Sequence, residues 1–225
     1  DYVRVYASEA IPDYALLPPG SVPEITTQGI GLNFSVKDDA ATDLAAGETA
    51  GALGISQTGW NNLAGPEGSA AILRDSEGKE IKGLSVTWKV PGNDQGWRCK
   101  AGREWGFTGG NLALPRGYIQ SGGESSVSGI RYPRYDVHVY LNADDNGGSG
   151  KVSLKSGDRQ EARYYKLGWH DGKFRESKGT TPESAQEGNH VVFRGLAGRE
   201  FSLGWEGNLG GGLTGVSGIQ IVEVP

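Results

Sequence analysis

Between residues 97 and 105 the chain gathers side chains suited to holding a sugar. Trp97, Arg98, Lys100, Arg103 and Trp105 bring two indole rings and three cations together, in a protein whose formal net charge is −5. A sugar ring is polar at its edge and apolar across its C–H faces. It is therefore recognised by a flat aromatic surface together with a few fixed donors and acceptors. Arginine adds a planar fork of N–H groups that matches a carboxylate or sulfate. The bland alternative is that both indoles fold back as a plug over the edge of a core. Trp169 and His170, in the segment Gly168-Trp169-His170-Asp171-Gly172, form a second candidate. Imidazole titrates near neutrality, so a histidine beside an aspartate invites an acid–base role. No serine or cysteine nucleophile is recognisably arranged with it, and a turn histidine without catalytic duty accounts for the same residues. Arg131 and Tyr132 precede a clear strand and are expected on the same surface or at its rim.

Two further motifs carry polar chemistry. Trp60-Asn61-Asn62 pairs a ring with two amides able to bridge vicinal hydroxyls. The favoured reading is structural: the asparagines close a turn on backbone groups and Trp60 packs beneath it. Asn142-Ala143-Asp144-Asp145-Asn146-Gly147 opens like a calcium loop, with oxygen ligands at Asn142, Asp144 and Asn146 and glycine in sixth place. The twelfth position, Ser153, lacks the bidentate carboxylate of such a loop, and a plain turn explains the run equally. Structural calcium is the one cofactor the sequence raises. Cys99 is the single cysteine, so it forms no internal disulfide and builds no metal site by itself.

The elements that would position these residues are strands. Glycine supplies 38 of 225 residues, without a G-X-Y period, and clusters between short apolar runs. That is the composition of an all-β domain rich in turns. Tyr135–Leu141 alternates most clearly, with Tyr135, Val137, Val139 and Leu141 on one face. Ile30–Val36, Ala70–Arg74, Leu84–Val90, Lys151–Lys155, Ala162–Leu167, His190–Phe193, Phe201–Trp205 and Gly218–Val224 read similarly. Trp88 and Trp205 fall in alternation with aliphatic residues and are expected in the core. A short helical turn is allowed within Asp38–Gly54. Pro91–Arg116 reads as irregular, longer than the ~12–15 residues usual for a structureless loop, which suggests a functional excursion. The fold class expected is an all-β, jelly-roll-like β-sandwich over residues 29–225.

Ahead of it, Asp1–Tyr6 alternates like a strand, and residues 7–28, studded with Pro12, Pro18, Pro19 and Pro23, read as a linker. The acidic balance argues against nucleic acid as a partner. No run approaches the ~18 apolar residues of a membrane helix, so no insertion through one is expected.

The opening Asp-Tyr-Val-Arg-Val-Tyr resembles the final strand of family 16 glycoside hydrolases and related concanavalin-like jelly rolls. Residues from Ile30 onward are similar in pattern to galactose-binding-like and malectin-like accessory sandwiches of bacterial extracellular enzymes. The segments that carry this likeness are Ile30–Phe34, Gly59–Leu63, Tyr135–Tyr140 and Gly218–Ile221. The resemblance implies a secreted or cell-surface polysaccharide hydrolase as the covalently linked parent, with this sandwich as its C-terminal carbohydrate-binding module. Sugar would then bind to loops or to one sheet face, and accessory sandwiches of this type often hold structural calcium. The E-x-D-x-(x)-E strand of the family 16 catalytic site is missing from the sequence.

The expectation is therefore a non-catalytic binder of a polysaccharide or oligosaccharide, anionic chains of algal or plant walls included. A structural or protein-docking sandwich of a cell-surface protein is a rival reading, and a polysaccharide lyase or esterase built on His170 is another.

Overall fold

The computed structural model describes residues 28–90, 99–144, 148–168 and 170–224, without the side chains of residues 99–101. The strand-like opening and linker expected over residues 1–27 lie outside that range. Two seven-stranded sheets face one another among the described residues. The first contains β1 (Gly29–Ser35), β2 (Asn61–Ala64), β5 (Cys99–Ala101), β6 (Gly117–Gln120), β8 (Tyr135–Ala143), β12 (His190–Leu196) and β14 (Thr214–Glu223). Its main path is β12-β8-β14-β1-β2; β6 pairs with the opening residues of β14, and β5 lies outside β6. The second contains β3 (Gly68–Ala70), β4 (Ser85–Lys89), β7 (Gly122–Ser128), β9 (Ser149–Ser156), β10 (Arg159–Lys166), β11 (Gln186–Glu187) and β13 (Glu200–Gly210), in the order β11-β10-β9-β13-β7-β4-β3. The all-β sandwich expected from the sequence is what forms.

Alternation decides what fills the space between the sheets. Ile30, Leu32 and Phe34 from β1 and Val137, Val139 and Leu141 from β8 meet Val127, Val152, Leu154 and Leu203 from the second sheet in one core. Trp88 and Trp205 join them, both within about 6.5 Å of the Phe34 ring. The sheets are stitched at Ser121, which separates β6 from β7. Its N–H donates to Thr214 O of β14 and its carbonyl accepts from Gly207 N of β13, so one residue hydrogen-bonds to both layers.

The two outer faces differ. In the first sheet β1, β8 and β14 are buried along almost their whole length, because loops cover the outer side. Trp60 lies on Gly31 so closely that a Cβ there would come within 2.5 Å of the indole, and its Nε1 donates to the carbonyls of Ala50 and Gln57. Asn61 and Asn62 bond backbone groups of residues 31, 44 and 74, so the structural reading of Trp60-Asn61-Asn62 holds. Phe174 packs on Tyr140 from the loop after β10, with ring centroids 4.6 Å apart. In the second sheet every strand from β4 to β9 alternates buried and open residues, leaving a polar outer face.

The excursion after residue 90 contains local structure. Its described part holds β5 and a seven-residue helix, α1 (Gly110–Arg116), whose Leu114 and Ala113 pack on the covered side of the first sheet. The helical turn expected within Asp38–Gly54 is a 3-10 turn at Ala40–Thr42, with the Asp39 carboxylate accepting from Ala41 N.

Candidate functional site

Trp97, Arg98 and Trp169 lie outside the described residues, as does the side chain of Lys100. Trp105 is described, and it is 3% exposed. Glu104–Phe107 closes as a turn with Phe107 N bonded to Glu104 O, and its two central residues, Trp105 and Gly106, have φ of 51° and 78°. His170–Lys173 repeats the arrangement, with Asp171 and Gly172 at 46° and 71°. Both follow the positive-φ pattern of a type I′ turn. They dock back to back through Gly172 N and Trp105 O at 2.8 Å, a contact in which a Cβ on Gly172 would meet Gly106 O at 2.4 Å. The docking turns the indole inward. Its Nε1 donates to Asn142 Oδ1, its ring lies 5.3 Å from that of His170, and Arg103 stacks on it at 5.5 Å. Trp105 thus offers no open face to a sugar, which corrects its expected role as a stacking platform. Arg103 is exposed, but its guanidinium lies against Trp105 and donates to Asp144 O.

His170 is 1% exposed and its Nε2 has no hydrogen-bond partner among the described residues. Burial pushes the imidazole down to about 4, helped by the nearby Arg175 guanidinium. An enclosed, neutral ring has no access to a substrate, so the acid–base role considered for His170 is not supported by its position. The other two histidines are enclosed as well: His138 Nδ1 and His190 Nε2 are 2.9 Å apart, and His190 stacks on Tyr140.

Two of the three residues of the calcium reading, Asn142 and Asp144, already have protein partners. Asn142 is fully buried; its Nδ2 donates to Arg103 O and Pro115 O, and its Oδ1 accepts from Trp105 and from Ala143 N. The Asp144 carboxylate accepts from Tyr118 OH at 2.5 Å and Gln120 Nε2 at 3.0 Å. Both side chains are spent on protein partners, and Asn146 lies outside the described residues. Among the described residues no cluster of three metal-ligating side chains forms.

Arg131 and Tyr132 are not brought to this end of the sandwich. They precede β8, whereas Asn142 and Trp105 stand at its far end, about 27 Å along a nine-residue strand. Arg131 Nη2 donates to Lys82 O, and Tyr132 is half-buried against the core.

The feature that sequence reasoning missed is the outer face of the second sheet. With Val86, Val127, Phe201, Leu203, Val152 and Leu154 turned inward, the alternate residues of β4, β7, β13 and β9 point out. They are Ser85, Thr87 and Lys89; Gly122, Glu124, Ser126 and Ser128; Glu200, Ser202, Gly204 and Glu206; and Lys151, Ser153 and Lys155. Short side chains at the centre leave a trough. A depression of about 570 Å³ over β3, β4 and β7 joins one of about 420 Å³ through Glu124 and Ser126. That one shares Ser126, Lys155 and Ser202 with a third of about 370 Å³. A fourth, of about 400 Å³, continues past Ser156 and Gly157 around the β9–β10 turn. Two ion pairs cross the floor, Lys89–Glu124 at 2.8 Å and Lys151–Glu206 at 2.6 Å. The hydrogen bond that the Lys151 ammonium donates to Glu206 holds its pKa above its ordinary value. Tyr164 of β10 stands beside Lys151 on the same face.

A signal for this face was present in the sequence. Ser, Gly, Lys and Glu recur at every second position in 122–128, 151–155 and 200–206. Gly, Glu and Lys are depleted from strands in general, and Ser is not among the residues enriched in them, so β7 carries no strand signal of its own.

No protein-family model matches the chain, and no curated protein does. Among solved structures, a family GH115 4-O-methyl-α-glucuronidase with specificity for decorated arabinogalactans is similar over 61% of this chain and 19% of its own length, at 16% identity and a TM-score of 0.29. A likeness that slight carries no argument about function.

Proposed function

We propose that the domain is a non-catalytic carbohydrate-binding module whose glycan lies in the trough on the outer face of the second sheet. The observation that carries this reading is a conflict between propensity and placement. Solvent-facing positions of central strands are best filled by Thr, Val, Ile or Tyr. Here the middle of the face is Ser126, Ser202, Gly204 and Ser153. Departures of this kind concentrate at functional sites, and what this one creates is room lined with hydroxyls. A hydroxyl both donates and accepts, as does each hydroxyl of a sugar. Tyr164 supplies an aromatic ring at the margin. The non-catalytic part of the reading rests on the carboxylates: Glu124 and Glu206 already hold lysine ammonium groups, whereas glycoside hydrolysis asks for a protonated acid facing a free carboxylate. The likeness of residues 1–6 to the last strand of a family 16 hydrolase supports a module tethered to a secreted polysaccharide hydrolase, where even weak binding raises local substrate concentration.

Gly204 makes the test clean, because a Cβ built there meets nothing closer than 4.0 Å. Gly204→Ile fills the trough without touching the core and adds strand propensity. Ser126→Val with Ser202→Val removes two hydroxyls at about 1 kcal/mol each, about a 30-fold loss of affinity. Both variants are expected to lose retention in polysaccharide affinity electrophoresis, with thermal unfolding unchanged or moved to higher temperature. Wild-type retention in both, with the fold intact, overturns the reading.

A further inference from the structure

We infer that the trough takes a neutral glycan, bound along its length and across the strands; this rests on the trough being the sugar site. The registers align Ser69, Thr87, Ser126, Ser202, Lys155 and Gln160 side by side on β3, β4, β7, β13, β9 and β10. Neighbouring strands lie about 4.8 Å apart, so the row presents one polar side chain per strand over about 24 Å. An extended pyranose chain advances by a similar step per sugar, which lets each rung meet one residue of the polymer. The row ends on the short edge strand β3 and on β10, with no described strand standing above the face, so a chain lying in it passes out over both sides.

Charge decides the class of glycan. The outward residues of the four central strands include three lysines, Lys89, Lys151 and Lys155, and three glutamates, Glu124, Glu200 and Glu206. Two of each are joined in the ion pairs that cross the floor. Lys155 and Glu200 are diagonal neighbours, since Lys155 stands opposite Ser202 and Glu200 lies two residues from it on β13. Glu67 adds a further carboxylate at the rim of the first depression. The arginine that borders the fourth depression, Arg159, spends its guanidinium on Glu161 and on the carbonyls of Arg194 and Gly195. A uronate or sulfate would therefore meet neither a positive field nor a free guanidinium fork. Hydroxyl-to-hydroxyl bonding is what remains, and it is insensitive to salt.

The test is calorimetric titration of the whole chain with mixed-linkage β-glucan and xylan oligosaccharides of increasing length, with polygalacturonate and a sulfated galactan as anionic counterparts, each at low and at high sodium chloride. Affinity is expected to rise with chain length to about six sugars, the number of rungs, and to change by less than about twofold with salt. Preference for an anionic chain, with a loss of tenfold or more at high salt, overturns the neutral assignment. If that same binding is lost in Gly204→Ile, the trough remains the site and its charge preference alone is refuted. If Gly204→Ile binds every ligand as the wild type does, the trough itself is refuted.

Discussion

Replacing Trp105 with alanine is expected to lower the unfolding free energy by about 3–5 kcal/mol while the molecules that remain folded bind glycan as the wild type does. The size follows from burial. The indole is 3% exposed and belongs to the main core cluster, so truncation removes its transfer free energy and opens a cavity between the two docked turns. The backbone strain is unaltered, because alanine at φ 51° meets the same Cβ penalty as tryptophan. The loss includes packing, the Arg103 guanidinium stacked on the ring and the hydrogen bond from Nε1 to Asn142 Oδ1. Trp105→Phe keeps most of the packing and forfeits the donor, and is expected to cost about 1–2 kcal/mol. Urea unfolding gives the stability, and affinity electrophoresis below the unfolding midpoint gives the binding. A Trp105→Ala protein of wild-type stability that no longer binds would restore the indole as a sugar platform and displace the trough.

The contrast between Trp105 and Trp88 shows where local sequence stops being informative. Trp88 alternates with Val86 and Val90, and that period alone assigns it to the core, where it lies. Trp105 has no such period, since Gly102 and Gly106 flank it, and its local sequence reads as a loop. It does sit in a turn, but the turn is held down by His170, 65 positions away, and by Asn142, 37 positions away. Those contacts are invisible to any window of neighbouring residues. The same separation explains the strands. Tyr135–Leu141 and Ile30–Val36 were legible because β-branched and aromatic residues recur with period two, and the observed strands differ from them by only a residue or two at the ends. β7 carries Gly-Gly-Glu-Ser-Ser-Val-Ser, and only its registers with β4 and β13 make it a strand. The strand expected at Ala70–Arg74 lies earlier, because β3 is a three-residue edge strand ending at Ala70. The Asp171-Gly172 pair was a readable turn signal, yet what the turn encloses was not. The trough belongs to this second kind of feature. It is built from the residues that strand propensity disfavours, on strands whose pairing partners are distant in the chain.

Acidification from about pH 7 to about pH 4 is expected to remove about 3 kcal/mol of stability for each of two buried histidines. Burial holds the imidazoles of His138 and His170 down at about 4 in the folded protein, against about 6.5 in an unfolded chain. Asp136 and Glu176 favour the His138 cation and Arg194 opposes it; around His170, Arg175 opposes it and Asp171 favours it. Neither local balance offsets burial. The unfolded state therefore binds more protons throughout the window between the two values. Stability is complete above about pH 6.5, falls as the pH drops, and loses nothing further from these two rings below about 4. His190, held well below its ordinary value by burial and by its neighbour His138, acts in the same direction. Glu161 and Glu176, whose pKa values are lowered by arginine partners, extend the decline to lower pH. The measurement is the urea midpoint at a series of pH values, at constant denaturant slope. His170→Phe separates the contributions, because it replaces a buried ring whose Nε2 has no partner among the described residues with an apolar one of similar shape. That variant is expected to match or exceed the wild type near neutrality, to lose about 3 kcal/mol less on acidification, and to be the more stable protein at about pH 4. An acid slope identical to the wild type's would mean that His170 reaches solvent in the folded state, and with it the neighbouring face of Trp105.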